Sequence, residues 1–458
     1  MNQSDRETEL NRRDFLKGGS LAAMMTMLGG VPLLAEPAPG PAAESNTARP
    51  KVKCAVIGLG AWGREILDNL GLVLKDDLAE AEIAAICDSY PASLRRGATK
   101  APSAAQTADY KTILDNKDIK AVIVATPTHL HKEIVLAALQ AGKHVYCEAP
   151  LAHTIEDARE IARAAKKASK LVFQSGLQMR CDPERRFLQP FIRSEALGEL
   201  AMARAQWHKK QSWRSASSNP EHEKALNWRL DKTISPGLAG EIGIHQLDQA
   251  GWFLNSRPVS VTGLGRIAQW NDGREVADTI QVLLEFQNGV RLNYDCTLAN
   301  SFDADYEVYF GSFAAVMIRQ NKAWIFKEVD SPLLGWEVYG RKETFHKETG
   351  IALMANATKL NAQGAKGAAE ASVIPPLHDA LVTFLRNTAE IASKTEEFIS
   401  LYGADDPTAL AKELSTVHLE PAPGFLEGYR ATVTGLKTNE AITTGQKIVF
   451  QPDWFELS

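Results

Sequence analysis

A glycine-rich turn near residue 60 has the residue types and the spacing to bind a dinucleotide. KVKCAVIGLGAWGREILDNL begins with an apolar run, 52–57, and continues as Gly58-x-Gly60-x-x-Gly63 before an amphipathic segment. The apolar run predicts a buried parallel strand, and the amphipathic segment predicts a helix. Glycines between them allow a tight turn and bring the backbone close to a pyrophosphate at the positive helix end. The sequence therefore predicts a cofactor site that includes Gly58, Gly60, Ala61, Trp62 and Gly63.

A carboxylate at the end of the next strand-like run extends this pattern. EIAAICD ends in Asp88, and the inserted segment GLVLKDDLAEA accounts for a distance from Gly58 that exceeds the usual ~20 residues. A carboxylate there binds the adenosine ribose hydroxyls and repels a 2′-phosphate, so the sequence favours NAD. Arg95 and Arg96 leave NADP as an alternative. The simpler interpretation of Asp88 is a polar strand end or a helix cap.

Apolar runs and amphipathic segments alternate through the first part of the chain. KAVIVAT, HVYCEAP and LVFQSGLQMR are typical of strands and are separated by helical patterns, which predicts a doubly wound parallel sheet over about 51–175. After Gly198, aromatic-rich strands and long turns predict an open antiparallel sheet. The expected fold class is α/β: an N-terminal Rossmann domain and a C-terminal α/β domain with an open, mostly antiparallel sheet.

The predicted organisation has four parts. Residues 1–49 form a signal and linker, and residues 50–175 form the NAD(P)-binding domain. Residues 176–372 form a substrate and oligomerisation domain that ends in a flexible connector, LNAQGAKGAAEAS. Residues 373–458 form a C-terminal helical and return segment.

The N-terminal segment predicts export of a folded protein. NRRDFLKGG places Arg12-Arg13 before an uncharged run that extends from Gly18 to Ala35. This order is typical of a twin-arginine signal. A membrane anchor is the alternative, although a Gly-interrupted run is marginal against the roughly 20 residues that span a bilayer. We expect a periplasmic or exported protein that uses the twin-arginine export machinery, with the mature chain beginning within 36–49.

The bulk composition is that of a soluble globular enzyme. A net charge of −5 offers no field for nucleic acid, and no metal site is predicted. Three of the five cysteines, Cys54, Cys87 and Cys147, lie in or beside apolar strand-like runs. Free cysteine behaves there as a small core hydrophobe, which suits a protein that folds in the reducing cytoplasm before export.

The segment GEIGIHQLDQAGWFL has the groups to accept a proton. If it is helical, Glu241, His245, Asp248 and Trp252 share one face. An imidazole beside carboxylates can take the proton of an alcohol while hydride leaves the carbon. We predict that His245 is the base, that the carboxylates hold its tautomer or raise its pKa, and that Asp248 faces the substrate. The alternative is a packed histidine and a carboxylate that only favours the helix N-terminus.

Residues 207–229 combine indoles with cations. Indoles form flat platforms for sugar rings, and cations donate to hydroxyl or carboxylate groups. The segment therefore predicts a carbohydrate site made from Trp207, His208, Lys209, Lys210, Trp213, Arg214, Trp228 and Arg229. His129, which follows the fourth strand, is either a ligand contact or a loop histidine that caps the next helix.

Four segments in this order resemble the Gfo/Idh/MocA family: GLGAWG, ATPTHLH, GKHVYCEAPLA and GEIGIHQLDQAGWFL. The resemblance covers about 51–340. It implies hydride transfer between a nicotinamide and a sugar or cyclitol hydroxyl, and a homo-oligomer formed through the open sheet. It adds Thr126, Pro127, His129 and Glu148 to the expected cofactor site.

Two departures from the family pattern affect the chemistry. Members usually carry Glu-Lys-Pro after the fifth strand, with a lysine that binds the reacting hydroxyl, whereas this chain has Glu148-Ala149-Pro150. Asp-x-Gly-x-His is replaced by a segment that begins with Glu241 and ends with His245. Another group must then cooperate with the histidine. Lys209 or Lys210 is the hypothesis, and the alternative is that paired lysines are solvated surface.

Export and cofactor together limit the function. A nucleotide loaded in the cytoplasm would travel inside the folded protein, and an enzyme that releases NADH would stall outside. We therefore predict a carbohydrate or cyclitol oxidoreductase with tightly bound NAD, or NADP. One alternative is a redox-neutral NAD-dependent glycosidase, because glycosidases similar to this family pair a twin-arginine signal with loss of that lysine. The other is an inactive sugar-binding relative.

Overall fold

The computed structural model describes residues 51–457, except 320–321, 336, 338–341, 346–347, 354–373 and 404. The twin-arginine segment and the connector LNAQGAKGAAEAS lie outside the described residues, so both stay predictions. Within the described ranges, no helix combines the length and the apolar character that crossing a membrane requires.

The first domain is built on a six-stranded parallel sheet whose strand order is β3-β2-β1-β4-β5-β6. The strand order reverses between β1 and β4, which opens a crevice at the carboxyl ends of the strands where ligands bind. The strands are β1 (Val52–Ile57), β2 (Ala81–Cys87), β3 (Ala105–Thr107), β4 (Ala121–Val124), β5 (His144–Cys147) and β6 (Phe173–Ser175). The helices are α1 (Ala61–Lys75), α2 (Pro91–Ala98), α3 (Tyr110–Asp115), α4 (His131–Gln140) and α5 (Ile155–Lys167).

The sheet is buried on both faces, as the continuous apolar runs predict. Cys54 and Val56 of β1 pack into the core that contains α1, whereas Ala55 and Ile57 pack into the core that contains α4 and α5. Burying a large aliphatic side chain stabilises the fold by roughly 1.5–3 kcal/mol. The length of α1, which ends at Lys75, accounts for the long interval before Asp88.

The second domain is a ten-stranded sheet of order β14-β15-β13-β12-β11-β7-β10-β9-β8-β16. All of its neighbouring strands are antiparallel except β7 and β10, so the predicted mostly antiparallel sheet is confirmed. The strands are β7 (Leu200–His208), β8 (Pro258–Arg266), β9 (Thr279–Phe286), β10 (Arg291–Thr297), β11 (Asp305–Gly311), β12 (Ala314–Arg319), β13 (Lys322–Lys327), β14 (Lys342–Phe345), β15 (Glu348–Leu353) and β16 (Ile448–Val449). The helices between β6 and β8 are α6 (Pro183–Ile192), α7 (Pro220–Leu226) and α8 (Ile244–Leu254).

The C-terminal helices α9 (Pro376–Tyr402), α10 (Pro407–Leu414) and α11 (Phe425–Thr444) pack back against earlier parts of the chain. α9 covers the first domain, where Gln174 donates a 2.8 Å hydrogen bond to the Ala380 carbonyl. α11 contacts both domains: Tyr429 accepts a hydrogen bond from Arg159 of α5, and Ile442 packs in the core shared with β8 and β9. The last segment therefore completes the first domain and joins it to the second.

All five cysteines are free and buried, as predicted for Cys54, Cys87 and Cys147. Burial raises the pKa of the Cys54 thiol to about 12, so this thiol stays protonated at neutral pH. These side chains act as core hydrophobes.

Thr432 of α11 provides a test of the contact between this helix and the first domain. Its hydroxyl accepts the Leu151 N–H at 3.0 Å and donates to the Gly428 carbonyl at 2.7 Å. We expect Thr432→Val to lower the free energy of unfolding by roughly 1–3 kcal/mol, because the buried N–H loses its acceptor. Urea unfolding measures this change. Thr443→Val, an exposed change on the same helix, serves as the control, and equal effects of the two substitutions would contradict the expectation.

Candidate active site

The glycine turn has the geometry of a phosphate cradle. Gly58 has a φ of +94°, and a Cβ on Gly63 would lie 1.9 Å from the Gly58 carbonyl oxygen, so both positions require glycine. A Cβ on Gly60 would meet nothing within 4 Å, which leaves room beside the turn. α1 starts at Ala61 without a side-chain cap, so its first N–H groups are available to an anion.

Asp88 is fixed next to this turn. Its carboxylate accepts the Leu59 N–H at 2.7 Å and the Tyr90 N–H at 2.8 Å. The second of these contacts matches the simpler interpretation of Asp88 as a local cap. The first holds the carboxylate at the glycine turn, where the ribose-binding interpretation requires it. Arg95 and Arg96 are exposed on α2.

Several polar atoms are enclosed without hydrogen-bond partners beyond the carboxyl ends of β4, β5 and β6. A buried polar atom that lacks a partner costs roughly 1–3 kcal/mol, so these atoms are candidates for contact with a polar ligand. Within the described part of the chain they include Thr126 Oγ1, His129 Nδ1, Glu148 Oε1, Gln178 Oε1 and His245 Nδ1. Hydroxyl, amide and imidazole groups fit a nicotinamide carboxamide and the hydroxyls of a polyol. Gln178 was not predicted from the sequence, where its only signal is its position shortly after β6.

Glu148 lies at the end of β5 and is 7% exposed. Burial raises the pKa of its carboxyl to about 7, and the Trp62 indole and the Ala149 N–H oppose that rise. Trp62 itself lies in the first turn of α1 and is 38% exposed. The two predicted cofactor residues are therefore neighbours.

His245 lies at the start of α8, so the predicted helix is confirmed; the preceding turn, Ala239–Gly243, has π-helical geometry. Burial lowers the pKa of the imidazole to about 4, and Asp248 opposes the decrease. The ring is neutral at neutral pH and can accept a proton. Asp248 instead forms two hydrogen bonds with Arg180, at 2.7 and 2.8 Å.

Glu241 connects the two domains. One carboxylate oxygen accepts the Thr128 hydroxyl at 2.8 Å, and the other accepts the Arg229 Nε–H at 2.8 Å. Neither Glu241 nor Asp248 is hydrogen-bonded to His245 Nδ1, so the prediction that a carboxylate holds the tautomer there is wrong. Asp248 does raise the pKa of the imidazole, as predicted, but burial outweighs this effect.

An aromatic and cationic cluster lies beside this link. The Arg229 guanidinium lies over the ring of Trp228 at 4.6 Å and over that of Trp213 at 5.8 Å. The His129 ring meets Trp228 edge-on at 5.8 Å. Pro127, His129 and Trp228 line a cavity of about 260 Å³ at the boundary between the domains. Burial lowers the pKa of His129, and His153 and His131 lower it further.

The other predicted substrate residues lie in different places. Trp207 packs on the core with Ala203 and Ala205, and Lys209 follows on the same side of the strand by alternation. His208 points to the opposite face, where it is bonded to Asp295 and to the Phe302 carbonyl.

The remaining two predicted substrate residues, Lys210 and Arg214, lie near the surface. Lys210 is exposed, as is Lys209. Arg214 forms an ion pair with Glu223 and donates a hydrogen bond to the Asp272 carbonyl at 2.9 Å. No group of three or more His, Cys, Asp or Glu residues in the described ranges is arranged to hold a metal ion.

His131, the last residue of the ATPTHLH segment, is buried between two turns of the first domain. Its ring nitrogens lie 2.9 Å from the Thr126 carbonyl oxygen and 3.1 Å from the Pro150 carbonyl oxygen. These contacts connect the turns that follow β4 and β5. His131 thus supports two turns that carry candidate cofactor residues.

A parallel dinucleotide-binding sheet, an open antiparallel sheet and a neutral histidine between them define a class of two-domain NAD-binding proteins. Residues 52–175 match the model of the oxidoreductase family with the NAD-binding Rossmann fold, and residues 186–312 match the GFO/IDH/MocA C-terminal domain. The chain belongs to the Gfo/Idh/MocA family.

Curated relatives include levoglucosan dehydrogenase of Pseudarthrobacter phenanthrenivorans, 29% identical over 40% of this chain and 50% of that protein. Inositol 2-dehydrogenase of Salmonella typhimurium is 28% identical over 44% of this chain and 55% of that protein. 1,5-Anhydro-D-fructose reductase of Ensifer adhaerens is 32% identical over 43% of this chain and 56% of that protein. The chain thus spans about half the length of these relatives.

Solved structures show the same fold over most of the chain. Levoglucosan dehydrogenase in complex with NADH superimposes with a TM-score of 0.64 and 18% identity. The match covers 87% of this chain and 99% of that chain. myo-Inositol 2-dehydrogenase of Lactobacillus plantarum superimposes with a TM-score of 0.59 and 18% identity. The match covers 88% of this chain and 100% of that chain. At this identity the likeness concerns the fold alone.

Glu148 should make the stability of the protein depend on pH. Its carboxyl has a pKa of about 7 in the folded protein, against an ordinary value of 4.5. Between these two pH values the folded protein keeps a proton that the unfolded chain has released. The stabilisation is complete below about pH 4.5 and is lost as the pH rises through 7. Relative to Glu148→Gln, we expect wild-type stability to fall by roughly 3 kcal/mol across this range in urea unfolding.

A matched comparison isolates this effect. Glu156→Gln changes an exposed carboxyl at the start of α5 and should leave the pH dependence as in the wild type. If the wild type and Glu148→Gln gave parallel stability curves between pH 4 and 8, the assignment of a raised pKa to Glu148 would be refuted.

Proposed function

We propose that this protein is an NAD(P)-dependent oxidoreductase that transfers hydride between its nicotinamide and a carbohydrate or cyclitol hydroxyl while it retains the cofactor. The observation that carries this proposal is the neutral His245, which lies with other unpartnered polar atoms beyond the parallel strands. The family membership and the names of the relatives support the reaction class and the kind of substrate.

The first domain would hold the cofactor through its turns. The N–H groups at the start of α1 would bind the pyrophosphate, and Asp88 would bind the adenosine ribose and so favour NAD over NADP. Thr126, Pro127, His129 and Glu148 would surround the opposite end, where the nicotinamide would accept a hydride from the substrate. The neutral form of Glu148 could donate a hydrogen bond there.

The proton and the hydride leave the substrate by different routes. The hydroxyl proton would pass to the unpartnered nitrogen of His245, while a bound nicotinamide would supply the acceptor for the hydride that leaves the carbon as the C=O bond forms. Because burial keeps the imidazole neutral above about pH 4, His245 is ready to act as the base at neutral pH. Reduction of a carbonyl substrate follows the same steps in reverse.

The position of the usual lysine is apolar in this chain. Ala149 packs against Leu177, Ile244 and Ala431, so it supplies no cation to the reacting hydroxyl. Strand alternation favours Lys209 over Lys210 as a substitute, because Lys209 lies on the side that carries Trp207 and faces α8. Lys209 would bind substrate oxygen atoms, while His245 takes the proton.

The substrate site would lie at the boundary between the domains. Trp213 and Trp228 offer apolar rings, and Arg229 and His129 offer polar groups next to them. Such a combination suits one face of a sugar or cyclitol ring and its hydroxyls. The relatives named above act, by their names, on levoglucosan, inositol and 1,5-anhydro-D-fructose.

Cofactor retention, export and assembly belong to the same proposal. Export through the twin-arginine pathway to the periplasm would carry the loaded protein away from the cytoplasmic NAD pool. The open sheet would form a homo-oligomer interface, because its outer face exposes apolar side chains on several strands. These include Met202, Leu264 and Leu283, at 36%, 68% and 43% exposure.

A redox-neutral glycosidase is the second candidate, and Ala149 is the observation that favours it. In that reaction a hydroxyl is oxidised to a ketone, the acidified neighbouring C–H loses its proton and the glycosidic group is eliminated. Water then adds and the hydride returns. The lysine that usually binds the reacting hydroxyl is not required in every step of this reaction. Intact glycines and His245 argue against the third candidate, an inactive sugar-binding relative.

The deciding experiment follows nicotinamide absorbance and aglycone release in purified, extensively desalted protein. Levoglucosan, myo-inositol and aryl glycosides serve as substrates, and the bound nucleotide is identified by chromatography after denaturation. We expect retained NAD that becomes NADH on a simple sugar, with aglycone staying attached. Repeated aglycone release without net NADH would identify the glycosidase, and a protein that neither holds nor binds nucleotide would refute both.

Replacing His245 separates binding from proton transfer. We expect His245→Asn to lower kcat about 10²–10⁴-fold while the nucleotide stays bound, because the variant loses the group that accepts the proton. Wild-type kcat/KM should decline as the pH falls towards about 4, where the imidazole becomes protonated. His418→Asn, at an exposed position, is the control. Unchanged turnover in His245→Asn would remove His245 from the mechanism.

A further inference from the structure

The loop of residues 215–227 is closed at its base. The Ser215 N–H donates to Asn227 Oδ1 at 2.7 Å, and Asn227 Nδ2 donates to the Ser215 carbonyl at 2.8 Å. α7 lies within the loop and is capped by Asn219, whose side chain accepts the N–H groups of Glu221 and His222. The loop is thus a compact unit with its own internal hydrogen bonds, and its position is set by a narrow base.

The tip of this loop reaches the first domain beside Asp88, the carboxylate proposed to bind the ribose. His222 packs edge-on against Tyr90, with ring centroids 4.8 Å apart and an interplanar angle of 68°. Tyr90 follows β2 by a few residues, and its N–H is bonded to Asp88. The contact therefore lies next to the end of the crevice that would receive the adenosine.

The same loop also meets the first domain on the other side of the glycine turn. Glu221 and Lys224 line the interdomain cavity together with Pro127 and His129, which follow β4. In the sheet, β1 lies between β2 and β4, and the glycine turn follows β1. The loop therefore contacts the chain on both sides of the glycine turn, beyond β2 and beyond β4.

We propose that loop 215–227 closes the crevice over the bound dinucleotide, with the Tyr90–His222 contact holding it closed. Tyr90 and His222 thereby set how long the cofactor stays bound. This inference rests on the proposed function, because it needs a dinucleotide in the crevice. It deepens that function by assigning retention to two residues, one from each domain, and to a step in which their rings separate before the nucleotide leaves.

Nucleotide release measures this closure directly. The full chain is loaded with NADH and mixed with excess NAD, and the loss of bound-NADH fluorescence gives the release rate. We expect His222→Ala and Tyr90→Ala each to release NADH up to about tenfold faster, since an edge-on aromatic pair is lost. The double variant should be no faster than the faster single variant, because both substitutions remove the same contact. His222→Phe, which keeps an aromatic ring, should restore slow release.

Matched controls and the remaining outcomes complete the test. His418→Ala and Tyr402→Ala remove exposed rings of the same types elsewhere and should release NADH at the wild-type rate. If the His222 and Tyr90 variants also release at that rate, the closure is refuted while the proposed function stands. Additive rates in the double variant would refute the Tyr90–His222 contact as the holding interaction. If the wild type binds no NADH at all, the proposed function fails, and this inference fails with it.

Discussion

The buried carboxylate of Glu241 is the interaction on which the geometry of the site depends. A carboxylate removed from water needs strong partners, and Glu241 has Thr128 from the first domain and Arg229 from the second. It lies one helical turn before His245, so holding the carboxylate also holds the imidazole at a fixed position relative to the end of β4. The same bond places the Arg229 guanidinium between two indole rings. One side chain therefore ties the end of β4, His245 and the aromatic cluster together.

Ala149 stands where family members usually have a lysine, and this replacement removes a positive charge from the neighbourhood of the Glu148 carboxyl group. A cation beside Glu148 would favour its ionised form, whereas the apolar surroundings of Ala149 leave burial as the main influence on that carboxyl. Burial makes both Glu148 and His245 favour their uncharged forms, one able to donate a proton and the other able to accept one. The site can thus enclose a neutral polyol without stranding an unpaired charge.

Local sequence patterns were sufficient for the parts of the fold that local physics determines. The glycine turn, the alternating strands and helices, and the helix that carries His245 follow from backbone sterics and apolar periodicity. The partners of Glu241 and Asp248 could not be predicted in this way, because Thr128 and Arg180 reach them only after the domains have packed. The same holds for His208: its neighbours in sequence suggested a sugar site, but strand alternation directs it to the other face of the sheet.

The placement of α11 links the beginning of the chain to its end. Leu151 and Thr432 are bonded across 281 positions, and α9 covers the core that contains α1. The first domain therefore finishes its core only after the last helices have been synthesised, although its own sheet ends at β6. A chain that is interrupted before α9 would leave apolar faces of the first domain in water, where aggregation and proteolysis remove incomplete products. Complete translation is thus built into the stability of the nucleotide-binding half of the molecule.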